Sequence, residues 1–513
     1  MMKGFSRTLD EKFRIHERGS TIGNEIRAGT ATFLTMAYIL LVNPQVLGAP
    51  NTGISGVQVI AGTVIGSAVA SFITGYFGNL PLGLAPGLGL SAYLSFGLVK
   101  GQHVPWEGAL TCCFLSGMIV TILGIVQLAD VAMCWIPEYV KSATIIGMGL
   151  LLTLIALQSI DLVVASGDSS LIMMGPLDRP ELWISMGGLM LQASLAHHRF
   201  RGAVIIGIFG TTLLMWYQDN SWPSDFMSFP SIEGSTIAAA LNLEFIFDNP
   251  REYLPGLIAF LVVGIFDVSG VVYGLMCLAG LSEKDEQNNV VVPGSKWAFI
   301  GSGVGTMIAA CLGCSPIIVH IESAVGIKEG GRTGLTAVVV SCWFLVSLFF
   351  APLFGSIPPE ATAPVIVLIG ASMMGQASEI DWKEMRIAIP AFLTLIVMPF
   401  TFSIPNGIAC GMVSNGILLI TTGRIFGYKD SLDEDDVEKS ADTVVKKSSS
   451  TNSLNKGVNF SYGSVLLSEQ ALNSKDIPSP RYTHSPYRSP NLILRSEEFR
   501  HHYQQMPSAS HFF

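Results

Sequence analysis

The feature that most constrains this chain is a run of 72 residues without a single Asp, Glu, Lys or Arg, from Ala28 to Val99. A soluble domain cannot keep a surface of that length hydrated, whereas a membrane-spanning helix requires about 20 mostly apolar residues. Of all 513 residues only 13% are charged, roughly half of the usual fraction in soluble domains. We therefore expect a polytopic membrane protein and not a soluble enzyme.

Fourteen apolar segments follow one another along the chain, seven on each side of a polar stretch. The first seven occupy residues 28–217, the second seven occupy residues 253–423, and residues 218–252 form an extracellular connection. The predicted fold class is therefore an all-α membrane protein with fourteen transmembrane spans. Residues 1–27 carry charges of both signs and lack the apolar core of a signal peptide, so we expect a cytoplasmic N-terminal segment.

Basic residues fall on one side of this predicted topology. If the N-terminus is cytoplasmic, the inner loops hold Arg199, Arg201, Lys328, Arg332, Lys383 and Arg386. The outer segments are acidic or nearly uncharged, with Lys100 as the main exception. Because cytoplasmic loops carry an excess of Lys and Arg, the pattern favours an even number of spans with both termini inside.

The last 90 residues, 424–513, differ in composition from the rest of the chain. They contain an acidic run at Asp433–Asp436 and a serine run at Ser448–Ser450. A segment of this kind cannot bury enough apolar surface to fold alone. We expect a disordered, Ser-rich cytoplasmic tail, which is either simply solvated or a phosphorylation-regulated trafficking segment.

Seven spans in each half predict a duplication. An odd number of spans places the two halves in opposite orientations, as in the inverted repeats of secondary transporters. The third span of each half is interrupted by a small residue and a proline, at Pro86 and at Pro316. Proline disfavours helix at the residue before it, so spans 3 and 10 should each contain a short extended segment followed by a half-helix. Two such breaks facing each other would line a polar cavity.

Two carboxylates stand alone in apolar spans. Asp267 is the only charged residue of the eighth span, and Glu322 is the only one of the tenth. A charged carboxylate there costs about 2.5 kcal/mol or more, and such residues usually face a cavity. Because burial disfavours the charged form, proton uptake can couple to substrate binding. His320 is either a second proton site or a packed polar residue, and the sequence leaves both open.

Several segments are long enough to compare with known families. They are Glu25–Ile39 with Val42–Pro44, Pro81–Leu90, Phe266–Gly270, Ile321–Ala324, Glu329–Gly334, Ala361–Pro364 and Met398–Ile404. In these segments the chain resembles the azaguanine-type adenine/guanine permeases, in a plant-like form, of the nucleobase–ascorbate (xanthine/uracil permease) superfamily. The resemblance covers about residues 16–425.

The resemblance implies fourteen spans in two inverted seven-span repeats, divided into a core domain and a gate domain. It implies proton-coupled import of adenine, guanine or hypoxanthine at the plasma membrane by a homodimer. The partners would be a purine base, protons and the lipid bilayer, and the proton gradient would replace any cofactor. We expect no nucleic acid, since no basic patch with interleaved aromatics occurs. We expect no metal, since the pair Cys311 and Cys314 lacks further ligands.

The resemblance also implies site residues. Asp267 and Glu322 would couple proton movement to binding, and Glu322 would hydrogen-bond the base. The expected substrate-binding residues are Thr35, Met36, Ser91, Phe266, Asp267, Ile321, Glu322 and Ser323. Ser91 stands where the family usually has Asn, and a hydroxyl lacks the paired donor and acceptor of an amide. The range of substrates is therefore open, and it includes N6-substituted adenines (cytokinins), which plant relatives accept.

Two other functions stay open on the sequence. The first is a transporter of the same fold for uracil, xanthine or ascorbate. The second is a purine-sensing receptor that does not transport. An enzyme is not expected, because the sequence presents no nucleophile–base pair and no metal cluster.

Overall fold

The computed structural model describes residues 2–48, 51–127, 137–165, 172–198, 200, 202–223, 227, 235–284 and 290–421. The predicted tail, residues 424–513, lies outside the described residues. Arg199, Arg201 and residues 166–168 of the predicted loops also lie outside them.

The described residues are mostly helical. The first helices are α1 (Met2–Phe13), α2 (Ile22–Met36), α3 (Ile39–Leu47), α4 (Gly56–Gly78), α5 (Leu88–Ala92), a π-helix (Tyr93–Gly101), α6 (Trp106–Val126), α7 (Glu138–Ser159), α8 (Pro180–His197) and α9 (Ala203–Asp219). They are followed by α10 (Ser235–Leu241), α11 (Glu244–Asp248), α12 (Pro250–Ala279), α13 (Ser295–Cys311), α14 (Ser323–Lys328) and α15 (Gly334–Ser347). The last are a 3-10 turn (Leu348–Phe350), α16 (Ala351–Gly355), α17 (Pro359–Met373), a 3-10 turn (Met374–Glu379), α18 (Met385–Thr401) and α19 (Ile404–Thr421).

Eight helical segments among the described residues are long and apolar enough to cross a membrane. They are Ile22–Leu47, Gly56–Gly78, Trp106–Val126, Glu138–Ser159, Pro250–Ala279, Gly334–Gly355, Pro359–Glu379 and Ile404–Thr421. Two shorter apolar helices are Ala203–Asp219 and Met385–Thr401. The helical, polytopic membrane architecture predicted from the sequence is confirmed, and the count of fourteen spans stays a prediction.

Short antiparallel strand pairs complete the secondary structure. The strands are β1 (Leu84–Pro86), β2 (Val163–Ala165), β3 (Ile172–Met174), β4 (Glu283–Lys284), β5 (Val290–Val291) and β6 (Ile317–Val319). β2 pairs with β3 and β4 pairs with β5, each pair close together along the chain. The third pair, β1 with β6, joins segments that are more than two hundred residues apart.

The β1–β6 pair lies where the sequence predicts the two interruptions. The register pairs Leu84 with Val319, Ala85 with Ile318 and Pro86 with Ile317. The amide of Gly87 continues the pairing by donating to the Pro316 carbonyl oxygen at 3.1 Å. Each strand leads into a short helix, β1 into α5 and β6, through a turn, into α14. The expectation of an extended segment followed by a half-helix at both prolines is therefore confirmed.

Neighbouring helices supply hydroxyl groups to the outer edges of this two-stranded sheet. Ser71 of α4 accepts a hydrogen bond from the Leu84 amide at 3.0 Å. From α13, Thr306 accepts from the Ile317 amide at 2.9 Å, and Ser302 donates to the Ile317 carbonyl at 2.5 Å. Irregular backbone at membrane depth requires such partners, because lipid provides none.

Close packing around α4 holds this arrangement together. On α4, Gly66 faces Ala309 of α13, and Gly75 faces Gly334 and Ala337 of α15. Small residues allow helix backbones to approach closely, which is how membrane helices gain packing energy without a hydrophobic driving force.

We expect the variant Gly334→Ala to be less stable than the wild type, by about 1–3 kcal/mol. A Cβ atom at this position would overlap the backbone carbonyl of Gly75, which cannot rotate away. The matched control is Gly416→Ala on α19, where no atom lies within 4 Å of the added Cβ. Thermal unfolding in detergent should show a lower midpoint for the first variant only. Equal midpoints for Gly334→Ala and the wild type would contradict the close contact.

Candidate substrate and proton site

Glu322 lies at the centre of the candidate site, directly before α14. Its carboxylate is engaged on both oxygens. The Tyr38 hydroxyl donates to Oε1 at 2.6 Å, and His320 Nδ1 lies 3.2 Å from Oε2. His320 in turn places Nε2 at 3.2 Å from the Pro86 carbonyl oxygen of β1. The two broken segments therefore meet in a hydrogen-bonded chain that starts at Glu322 and ends on the opposite strand.

Tyr38 reaches Glu322 from a break in the first span. α2 ends at Met36 and α3 begins at Ile39, so Tyr38 lies in the short connection between the two helices. Its side chain is buried, with 4% of its surface exposed. Sequence reasoning missed this residue, although a tyrosine in the middle of an otherwise apolar span is a signal that could have been used.

Asp267 lies near the middle of α12, the longest helix described. α12 packs against both β6 and α14, and Asp267 lies within electrostatic reach of His320. Its side chain is half-buried. Among the described residues, none forms a hydrogen bond or ion pair with its carboxylate. The two carboxylates predicted from the sequence thus come together around His320.

Phe266 precedes Asp267 and faces a different helix. The ammonium group of Lys141, on α7, lies 6.0 Å from the centre of the Phe266 ring. Lys141 also forms an ion pair with Glu138 at 2.7 Å. A cation at this distance from an aromatic face is weakly attracted to it. Phe266 therefore connects the helix that carries Asp267 to α7.

Two of the other predicted residues of spans 1 and 10, Met36 and Ser323, contact Gly83. The Gly83 amide donates to the Ser323 hydroxyl at 2.9 Å, and buried Met36 packs against Gly83 so closely that a Cβ there would lie 2.6 Å from its sulfur. The half-buried Thr35 donates its hydroxyl to backbone carbonyls of its own helix. Ile321 is 46% exposed. Met36 and Ser323 therefore connect the segment around Gly83 to span 1 and to the start of α14.

Ser91 belongs to a second, buried polar cluster. Its hydroxyl donates to Asn43 Oδ1 at 2.6 Å and lies 2.7 Å from the Ser315 hydroxyl. Asn43 also donates to Thr63 at 2.8 Å, and Cys314 accepts from Asn43 at 3.2 Å. In this conformation Ser91 is fully buried. A direct contact between Ser91 and a substrate stays a prediction, and it would require these hydrogen bonds to exchange.

Glu25 fixes α2 against the segment that follows α14. Its fully buried carboxylate accepts the backbone amides of Arg332 at 3.0 Å and Thr333 at 3.2 Å, and the Thr336 hydroxyl at 2.6 Å. Three donors compensate much of the cost of burying this charge. Because α2 leads to Tyr38 and α14 follows Glu322, this network helps to keep Tyr38 and Glu322 within hydrogen-bond distance of each other.

Within the part of the chain that the structure describes, no cluster of three or more His, Cys, Asp or Glu side chains could hold a metal ion. The candidate site brings together two carboxylates, one imidazole and one phenol.

These features define a polytopic membrane protein whose candidate site lies at the crossing of two interrupted segments. The chain belongs to the xanthine/uracil permease family, since the family model, described as "Permease family", matches residues 23–410. The resemblance predicted from the sequence is confirmed. Members of this family are membrane transporters and not enzymes.

Individual proteins support this assignment. The guanine/hypoxanthine permease PbuO of Bacillus subtilis is 35% identical, over 80% of this chain and 95% of its own. The adenine permease AdeP of Escherichia coli is 33% identical, over 81% of this chain and 92% of its own. The transmembrane domain of the cyanobacterial bicarbonate transporter BicA has the same fold, with a TM-score of 0.55 at 16% identity, over 76% of this chain and 97% of that domain.

We expect Ser91→Ala to destabilise the protein by about 1–3 kcal/mol, because Asn43 and Ser315 would lose a buried hydrogen-bond partner. The matched control is Ser372→Ala, whose exposed hydroxyl donates only to a carbonyl of its own helix. Thermal unfolding of both variants measures the difference. A melting midpoint of Ser91→Ala equal to that of the control would show that the cluster contributes little.

Proposed function

We propose that the protein is a proton-coupled symporter that imports purine nucleobases across the plasma membrane. The observation that carries this proposal is the pair of intramembrane carboxylates, Glu322 and Asp267, at the crossing of β1 and β6. The names of the relatives add support, since one is an adenine permease and another a guanine/hypoxanthine permease. Adenine, guanine and hypoxanthine are the first substrates to test, and cytokinins are the next.

The chemistry of a purine suits this site. A purine base is planar and neutral at physiological pH, with N–H donors and ring-nitrogen acceptors around its edge. A carboxylate accepts hydrogen bonds only, so Glu322 can receive the N–H groups of the base. A site that satisfies each polar edge atom discriminates strongly against an analogue that lacks one of them.

We assign the two carboxylates different roles. Asp267 is assigned the binding and release of the coupled proton, because among the described residues it has no hydrogen-bond or ion-pair partner that would hold it ionised. Glu322 is the anchor of the base. Phe266 and Ile321 would line the pocket with Thr35, while Met36, Ser91 and Ser323 would shape it from behind.

We also propose the topology predicted from the sequence: fourteen spans in two inverted repeats, with a core domain, a gate domain and both termini in the cytoplasm. The antiparallel pairing of β1 with β6 supports this proposal. Two broken spans related by an inverted repeat run in opposite directions, so their extended segments would meet antiparallel. A homodimer is part of the same proposal.

Asp267→Asn should abolish concentrative uptake of radiolabelled adenine in a yeast strain that lacks its own purine permeases. An asparagine cannot take up and release a proton, so the gradient would lose its connection to the base. Wild-type uptake should collapse with a protonophore. The matched control is Asp178→Asn, which changes an exposed loop carboxylate. Protonophore-sensitive accumulation by Asp267→Asn at equal surface expression would refute the coupling role.

Glu322→Gln should weaken adenine binding by roughly 10- to 100-fold, because a charge-assisted hydrogen bond becomes a neutral one. Equilibrium binding to purified protein measures the change directly. Glu244→Gln, at an exposed position at the start of α11, is the control and should bind like the wild type. An unchanged affinity in Glu322→Gln would remove this residue from the base site.

A wild-type protein that reaches the surface without adenine uptake would favour the alternatives. Competition by uracil, xanthine or ascorbate for binding would indicate another solute on the same fold. Adenine binding without accumulation in reconstituted vesicles would indicate a sensing receptor.

A further inference from the structure

His320 is a buried titratable residue to which the roles above assign no task. Its side chain is 9% exposed, and both ring nitrogens have partners. Nε2 lies 3.2 Å from the Pro86 carbonyl oxygen. A carbonyl oxygen can only accept, so this contact is a hydrogen bond only if Nε2 carries a proton. The opposite strand thereby fixes which nitrogen is the permanent donor.

The other ring nitrogen faces Glu322. With Nε2 protonated, a neutral imidazole has only a lone pair at Nδ1, and this atom lies 3.2 Å from Oε2 of the carboxylate. An ionised carboxylate and a neutral ring would then oppose two lone pairs. The geometry requires one proton between the two atoms, so the pair is either an imidazolium with a carboxylate or a neutral ring with a carboxylic acid.

The surrounding groups favour the ionised form of the pair. Tyr38 donates to the remaining carboxylate oxygen at 2.6 Å, and donors stabilise a charged carboxylate. Asp267, on α12, lies within electrostatic reach of the ring, and it favours a charged ring whenever its own carboxyl group is ionised. The Pro86 carbonyl oxygen accepts from the far side of the ring. An imidazolium therefore has favourable partners in every direction in which contacts are described.

We propose that His320 holds a proton beside Glu322 and so keeps this carboxylate ionised inside the membrane, ready to accept the N–H groups of a base. His320 is then a positioning residue for the substrate anchor. The proposal rests on the proposed function in one respect, that Glu322 is the residue that binds the base. The proton on His320 is distinct from the one that Asp267 exchanges.

Among the described residues, only a few charged or titratable groups lie near His320. Glu322 contacts His320 from the turn, Tyr38 donates to Glu322 from span 1, and Asp267 on α12 lies within electrostatic reach of the ring. β1 presents the Pro86 carbonyl. α4 and α13, which also pack against β6, contribute hydroxyl groups to the two strands. The pH dependence of the pair is therefore set by these residues.

The proposal predicts pH profiles of opposite sign. In the wild type, rising pH removes the shared proton, the lone pairs of Nδ1 and Oε2 repel each other, and adenine affinity should fall. In His320→Gln no cation stands beside Glu322, so the buried carboxylate itself takes up a proton at acidic pH. Affinity should then be weak in acid and should rise with pH. Asp267 titrates in both proteins, so the difference between the two profiles reports His320.

The test is equilibrium adenine binding to purified protein in detergent, from about pH 5.5 to about pH 8.5. We expect His320→Gln to bind at least about tenfold more weakly than the wild type at the acidic end, and within about threefold at the alkaline end. The matched control is Tyr38→Phe, which removes the other donor to Glu322 without removing a proton site near neutral pH. It should lower affinity and keep the wild-type direction of the profile, with affinity falling as the pH rises, because His320 is still present.

A parallel loss of affinity in His320→Gln at every pH would overturn the proposal, since a purely structural role produces that result. A second measurement needs neither substrate nor this variant. The infrared difference between wild type and Glu322→Gln at about pH 6.5 should lack a protonated carboxyl band, and its presence would also overturn the proposal. If the wild type binds no adenine, the proposed function fails, while the infrared result still decides the state of Glu322.

Discussion

The structure depends on satisfying extended backbone inside an apolar protein. β1 and β6 interrupt two apolar segments, and their peptide groups could not stay unpaired in lipid. They pair with each other on one side, and Ser71, Ser302 and Thr306 serve the outer edges. The pairing places the turn before α14 against β1. The candidate site forms because the backbone groups of the two extended segments hydrogen-bond to each other.

The polar residues near this crossing belong to two groups with different properties. The cluster of Asn43, Ser91 and Ser315 is fully buried and internally hydrogen-bonded, which suits a rigid support. In the other group, the Glu322 side chain retains 21% exposure, and Asp267 has no hydrogen-bond or ion-pair partner among the described residues. Titratable groups with incomplete partners are the ones that can exchange protons or ligands.

Much of the fold could be predicted from the residues. Charge-free runs predicted a polytopic membrane protein, and Pro86 and Pro316 predicted the two extended segments. Asp267 and Glu322 could be selected because a lone carboxylate in an apolar span is costly. The contact of Tyr38 with Glu322, the cluster around Asn43 and the contact of His320 with Pro86 could not be predicted, because each joins residues that are far apart in the chain.

The sequence by itself determined where the chain is apolar, where helices must break and which carboxylates are isolated, since these are local properties of composition and backbone chemistry. The tertiary structure alone decided that β1 pairs with β6, that Ser91 lies in a buried cluster, and that Tyr38 and His320 occupy both oxygens of Glu322. The physical reason is that a hydrogen bond depends on distance and direction between atoms, and the local sequence does not set these quantities; the packing of the chain does.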